Sequence, residues 1–555
     1  MRSRLLAASV ALACVVLTGC ASIPSSGPVQ GGERAPADPA IDVDFLVPSP
    51  SPGATQEQIL DGFIRAALDP EDDYQVAREY LTTAFADEWQ ADAGATIDVL
   101  ADQERSRVDE TTMRVDAVPA ASLRENGQYE EPDSQAAIPL RYEFEQVEGE
   151  WRISNAPTGI LIDEAFFRQV FQKYTVYFLD PTDRYLVPDV RWYAVRESAQ
   201  TSIVQAMIAG AAEWLAPGVV SAFPEGVQLE PAAVPVTDGV AMVSLTGAAF
   251  DDPSTVQRMQ AQLDNSLIGI RNITSVVLRL NGVESDVPDL ANRPIRNPIV
   301  DPRTVVFDGE TFGYLATSGE SIEPVAGLSA AIAAMGPTGA ALGPDGESAA
   351  VRNADGVSIV RAGDDAELLD PRDGLVTPAI DGEEVVWSVP ADAPDELAWF
   401  APDGTSGQVA APWSGSQIAA IEVSRDSTRI VALLGDGART HFIAASIRRN
   451  ADGHPEELGA EPLRLDDISG TPLDVAWLDA RTVASITAMP DGTTRVVTQE
   501  LGGFASQRSG PLEGVAIDGG NNDLRALTSN GDLEVRSGVG WQPRASGIRF
   551  VAAQQ

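Results

Sequence analysis

Cysteine, lysine and histidine are nearly missing from this 555-residue chain, which has two cysteines (Cys14 and Cys20), one lysine (Lys173) and two histidines (His441 and His454). Each shortage excludes a chemistry. Zinc sites of the Cys/His kind have no ligands to draw on. A phosphate-binding loop needs Gly-Lys-Ser/Thr, and Lys173 follows Gln172. His454 is followed by Pro455 and Glu456, so no HExxH pair exists, and no G-x-S-x-G nucleophile turn occurs. Carboxylates are the one reactive type in supply, with Asp and Glu totalling 82. At that density, pairs such as Asp72-Asp73, Asp251-Asp252 and Asp466-Asp467 arise without a catalytic role. Glycoside hydrolysis needs two carboxylates at a defined separation, and chain order does not give one. No catalytic residue, metal ligand or cofactor site is therefore expected. Only 38 Lys and Arg oppose the acids, for a formal charge of −44. That balance argues against nucleic acid and anionic headgroups as bulk partners, because both call for a basic surface.

What is present begins at the N-terminus. Met1-Arg-Ser-Arg4 is a basic start, and Leu5 to Leu17 is an apolar run of 13 residues, where about 20 are needed to span a bilayer. This is the layout of a secretory signal. Its end, Leu17-Thr18-Gly19-Cys20, resembles a bacterial lipobox. The resemblance implies cleavage between Gly19 and Cys20, with S-diacylglycerol and N-acyl groups on Cys20; an ordinary signal with an incidental Cys20 is the alternative. Cys14 leaves with signal residues 1–19, so the mature chain holds one thiol and no internal disulfide. One acyl chain, at about 0.8 kcal/mol per buried CH₂, holds a protein marginally, whereas two or more hold it stably. Residues 20–52 read as a tether, with seven prolines and three glycines after Cys20. Such a stretch reaches about 30 Å if flexible and about 90 Å as polyproline II.

The globular part divides by periodicity. In residues 53–162, Ile59, Leu60, Phe63, Ile64 and Ala67 mark a helical face, and Ala77, Leu81, Ala84, Phe85 and Trp89 a second. Alternating runs follow, ending in "GEWRIS", an α+β layout that resembles the NTF2-like cone fold. Its role is either a ligand pocket or a structural or docking module. Residues 163–295 open with "VYFLDPTDRYLVPDVR", continue through "AGAAEWLAPGVVSAFPEG" and "DGVAMVSL", and close with "SVVLRLNG". These pieces, in this order, resemble the GerMN domain, an α+β fold, although Ala211-Ala212-Glu213 stands where that family usually carries Gly-Pro. Asp238-Gly239 is a hairpin signal. Trp192 and Trp214 fall within the apolar periodicity and read as core, with a sugar platform as the alternative. "NRPIRNPIVDPR" (Asn292 to Arg303) has three prolines and no periodicity, so few strong contacts are expected to cross it.

From residue 303 to 555 long helical patterns vanish, and Asp-Gly occurs ten times. Similar β-rich runs start at Glu347, Glu383, Ser427, Ala480 and Asn522, spaced by 36, 44, 53 and 42 residues. A degenerate strand repeat of this length resembles a β-propeller. "TVVFDGETFGYLATSG" from Thr304 can pair with the C-terminal "GIRFVAA" as a sixth, closing blade. A pair of β-sandwiches is the alternative, since no Trp-Asp signature recurs.

The lipobox with "CASIPSSGPV", the GerMN-like middle and the propeller-like end together resemble the actinobacterial LpqB lipoprotein family across nearly the whole chain. The resemblance implies a membrane-anchored, extracytoplasmic protein without enzymatic activity. It also implies a partner, the extracytoplasmic part of an MtrB-type sensor histidine kinase in envelope and cell-division signalling. The alternatives from other classes are a carboxylate-dependent cell-wall glycan hydrolase and a carbohydrate- or small-ligand-binding lipoprotein.

Overall fold

The computed structural model describes residues 47–555 apart from Asp133, Gln135, Arg196, Glu197, Ser414, Ala438, Asp467 and Val539. Cys20, Gly19, the signal and most of the Pro-rich stretch lie outside the described residues.

The first module opens with the helix Gln56–Ala66, started by a capping box between Thr55 and Gln58. Its buried stripe, Ile59, Leu60 and Phe63, faces two antiparallel-rich sheets. One runs Glu104–Arg107, Thr112–Ala117, Ile138–Val147, Glu150–Asn155. In the other, Gly94–Asp98 lies between antiparallel Pro119–Arg124 and parallel Ile160–Asp163. Phe63 and Tyr74 both pack on the Trp89 ring, with centroids 5.0 and 6.2 Å away. The helix Glu164–Val170, capped by Asp163, leads out of this module.

The second module starts with a long hairpin, Phe171–Leu179 paired with Tyr185–Ala194. The helix Ala199–Ala209 packs on it and buries Ile203, Val204 and Met207. Val240–Thr246 and Ser275–Leu280 are parallel neighbours joined through the helix Pro253–Leu267, a right-sized βαβ crossover. Asp238 and Gly239, both at positive φ, turn Thr237 back onto Val240, as that dipeptide predicts.

The third module is a six-bladed β-propeller. Its inner strands are Phe550–Gln554, Gly339–Leu342, Ala379–Ile380, Gln417–Val423, Thr471–Trp477 and Gly514–Gly520, and each touches the next until the ring closes. Phe550–Gln554 pairs antiparallel with Val305–Phe307, placing Val305 opposite Ala552. Blade 1 thus takes its inner strand from the C-terminal end and its outer three strands from residues 305–324. The recurring sequence runs are all second strands: Val305–Phe307, Ser348–Asn353, Val386–Ser388, Arg429–Gly435, Thr482–Ala488 and Asp523–Thr528. One helix within this β-rich half, Ser329–Ala334, precedes blade 2; its Ala-rich sequence carries too little periodicity to announce it.

The segment around 292–303 differs from expectation. Ile295–Arg296 adds a parallel strand to Tyr185–Leu186. Asn521 brackets Val300, accepting from its N–H at 3.1 Å and donating to its carbonyl at 2.8 Å. Arg525 donates to the Pro302 carbonyl at 2.7 Å. Proline removes backbone donors, but the carbonyls beside it remain strong acceptors, and here neighbours take them.

Candidate functional site

The sequence-flagged carboxylates are not brought together. Asp72 and Asp73 sit in a positive-φ turn, where Asp73 pairs with Arg78 at 2.7 Å. Asp252 caps the helix Pro253–Leu267, accepting from Ser254 and Thr255, which holds its carboxyl down at about 2. Asp466 accepts from Gln507 at 2.7 Å, and Asp467 lies outside the described residues. His441 lies at the start of the strand Thr440–Arg449 and His454 in the turn beyond its far end, against Asp436 and Asp403 respectively.

Trp192 and Trp214 are buried, and what they bury against is another module. Trp192 packs in an aromatic cluster with Tyr129 and Phe167 of the first module and Phe504 of the propeller, at centroid distances of 6.4, 5.2 and 5.4 Å. Trp214, Leu215 and Val187 join a core with Val431, Leu433 and Phe442 of blade 4. Around these anchors run polar links. Lys173 meets Glu500 at 2.5 Å, Arg184 meets Glu383 at 2.7 Å, and Gln499 donates to Glu131 at 3.2 Å. The described residues form one compact unit.

Beneath Trp192 lies a fully buried ion pair. Arg191 forks onto Asp189 at 3.0 and 2.7 Å and donates to the Asn126 carbonyl at 2.7 Å. Asp189 also accepts from the Ala212 N–H at 2.9 Å. The pair therefore ties a loop of the first module to the strand and the Ala-Ala-Glu-Trp turn of the second. Two glycines permit this approach. Gly127 is at φ +82°, and a Cβ there would meet the Trp192 carbonyl oxygen at 2.9 Å. At Gly502, φ +79°, a Cβ would meet the Val190 carbonyl oxygen at 3.1 Å from the propeller side.

This junction leaves an open groove of about 630 Å³ between the first and second modules. Phe171, Trp192 and Tyr193 supply aromatic floor, and the helix Ala199–Ala209 presents Ser202, Gln205 and Ala209 as a smooth wall. Asp92, Arg124 and Glu125 form a charged rim. Arg124 is anchored by Glu130 at 2.7 Å and by Glu213 at 2.9 Å across the joint. Burial pushes the Tyr193 hydroxyl up to about 12, so it stays a neutral donor, 3.3 Å from the Asn126 carbonyl. Its volume lies within the range of small-ligand sites, with an aromatic floor and a polar rim.

A second cavity, about 620 Å³, lies inside the first module and is lined by Ile64, Leu161, Phe166 and Asp98. Burial lifts the Asp98 carboxyl to about 6; the Gln103 side chain opposes this by donating at 2.8 Å, and Asp163 adds to it. Asp163 is its in-register neighbour on the adjacent parallel strand. Nothing in the sequence marks Asp98, because its character comes from what covers it.

Residues 49–168 match the N-terminal domain of lipoprotein LpqB, residues 175–286 the sporulation and spore germination (Germane) family, and residues 313–549 the LpqB β-propeller domain. Lipoprotein LpqB of Cutibacterium acnes is 27% identical over 507 residues, covering 85% of this chain and 84% of that protein. The chain belongs to the LpqB lipoprotein family. LpqB of Mycobacterium paratuberculosis aligns at 28% identity over 80% of this chain and 81% of its own. TolB of Acinetobacter baumannii covers 46% of this chain and 66% of its own at 15% identity, with a TM-score of 0.34, too low to transfer any function. Membership places this LpqB-family chain among membrane-anchored lipoproteins. No helix among the described residues is long and apolar enough to cross a membrane. No group of three or more His, Cys, Asp or Glu among them is placed to hold a metal.

Proposed function

We propose that this LpqB-family protein is a lipid-tethered binding scaffold. Diacylated and N-acylated at Cys20, it binds and modulates the extracytoplasmic part of an MtrB-type sensor histidine kinase. The single observation that carries this reading is the interlock at Trp192, which makes three modules one body and leaves a groove running from one to the next. A rigid, preformed surface lowers the ordering cost of binding a protein segment. Tethering through Cys20 confines the search for a membrane partner to two dimensions and raises its effective concentration.

Photocrosslinkers placed at Gln205 and Asp92, on the groove wall and rim, test this in intact membranes. The expected product is an adduct with a sensor kinase, absent when the probe sits at exposed Arg549 of the propeller. Adducts only with unrelated proteins, or adducts that persist when Ala209→Arg fills the groove, overturn the reading. Cys20→Ser is expected to abolish lipid labelling and membrane retention; retention of an unlabelled wild-type chain refutes the tether.

Carboxylate-dependent hydrolysis of cell-wall glycan draws support from one feature, the raised Asp98 carboxyl beside Asp163 in a cavity. Neighbouring strands stand about 4.8 Å apart, close enough for paired carboxylates. Turnover of glycan by the wild type that disappears in Asp98→Asn, with melting unchanged, favours this second reading.

A further inference from the structure

We propose that the groove between blades 5, 6 and 1 of the propeller binds a multivalent phosphate-bearing ligand. A cavity of about 650 Å³ opens there, lined by Arg303, Arg525, Arg536 and Arg544 against a single carboxylate, Asp523. Four guanidinium groups lining one cavity stand out in a chain of formal charge −44. The groove lies on the face where the inner strands end, the face whose blades 3 to 5 carry the docked second module.

Two of the four arginines are committed and two are free. Arg303 is held by Asp301 at 2.7 Å and by Glu323. Arg525 is held by Asp518 at 3.2 Å, by Asp523 at 3.6 Å and by the Pro302 carbonyl at 2.7 Å. Arg536 and Arg544 make no side-chain hydrogen bond or ion pair among the described residues. Arg536 is desolvated at the groove wall and faces Arg508, so its guanidinium is held below the ordinary value. Arg508 and Trp541 extend the groove into a smaller recess beyond Arg536. The charges on Arg536 and Arg544 have no ion-pair partner among the described residues, and a bound anion would supply one.

The geometry selects the class of anion. The guanidinium groups come from three strands of blade 6 and from the loop before the blade 1 strand Val305–Phe307, so they line the cavity from separate elements. A carboxylate offers two oxygens in one plane, whereas a phosphate offers three or more in a tetrahedron and satisfies several forks together. Small-ligand pockets run from roughly 300 to 1,000 Å³, so the volume suits a phosphate ester or diphosphate group. A soluble phosphate ester and an anionic phospholipid headgroup share this chemistry.

The test uses residues 20–555 carrying Cys20→Ser, so that no lipid anchor contributes. Pyrophosphate and glycerol 3-phosphate are titrated by calorimetry, and vesicles of phosphatidylglycerol are compared with vesicles of phosphatidylcholine by co-sedimentation. Binding is expected at one site, weakening as salt rises, and falling by about ten-fold or more in Arg536→Ala/Arg544→Ala. Binding of the soluble anions identifies a soluble ester; Arg-dependent binding of phosphatidylglycerol vesicles alone identifies a headgroup. The control Arg448→Ala, on exposed blade 4 surface, is expected to leave binding unchanged. If the double variant fails to fold, exposed Arg544→Ala alone carries the comparison. No binding of either probe, or binding that the folded variants leave intact, overturns the proposal.

Discussion

The indole Nε1 of Trp192 donates to the carbonyl oxygen of Gly502 at 2.9 Å, joining residues 310 positions apart. With Phe504, Tyr129 and Phe167 packed around the same ring, this is where all three modules meet.

Trp192→Ala is expected to destabilise the protein by about 3–5 kcal/mol, the usual loss for a large buried aromatic. Denaturant unfolding measures it, and the single transition should split as the modules uncouple. Trp192→Phe keeps ring packing but leaves the Gly502 carbonyl unpaired, for a smaller loss of about 1–3 kcal/mol. Equal losses in the two variants would place the stability in the hydrogen bond alone.

Arg191→Ala leaves Asp189 buried and without its counter-charge, at an expected loss of about 3–5 kcal/mol. Replacing both members, Arg191→Met with Asp189→Leu, is expected to restore most of that loss, because neither charge is then stranded. A double-mutant cycle in urea reads the coupling. If the double variant is as unstable as Arg191→Ala, the pair serves the Ala212 and Asn126 backbone contacts more than charge balance.

At the propeller axis, burial lifts the Glu422 carboxyl from its ordinary 4.5 to about 8, with Arg425 opposing and Asp518 and Asp474 adding to the rise. Asp474 is lifted to about 7 by burial, against its bonds from the Ile517 and Val475 N–H groups. Both acids are therefore protonated in the fold where they would be ionised in the unfolded chain. A raised carboxyl stabilises fully below its unfolded value and loses that contribution as pH climbs through its folded value. Stability from this cluster should fall from about pH 4.5 to about pH 8. Glu422→Gln keeps the acceptor for the Trp477 N–H and should flatten that fall. An unchanged melting profile between those limits would show Glu422 ionised throughout.

The blades were legible because their second strands are short β-rich runs set between Asp-Gly or Asn-Gly turns, and both signals are local. Closure was legible too, since "TVVF" finds a hairpin partner on one edge only and "IRFVAA" is strand-like with no local partner. The tryptophans were legible only as buried. Periodicity reports that a face is covered, and it does not report that Phe504, three hundred residues on, covers it. The groove and the arginine cavity were invisible for a related reason. Gln205, Tyr193 and Arg536 are ordinary in sequence, and only the packing of separate strands sets them beside one another. The two histidines look close in chain order, yet an extended strand of ten residues carries them to opposite rims.

The strand Phe550–Gln554 has a temporal consequence. It pairs with Val305–Phe307 on one side and with Ala341 and Leu342 on the other, so it is the wedge between the first and second blades. Until that segment has been synthesised, both of those edges stand bare, and the propeller is an open crescent. A chain cut before Phe550 therefore has nearly every blade and no ring, and it shows two bare strand edges to other chains and to proteases.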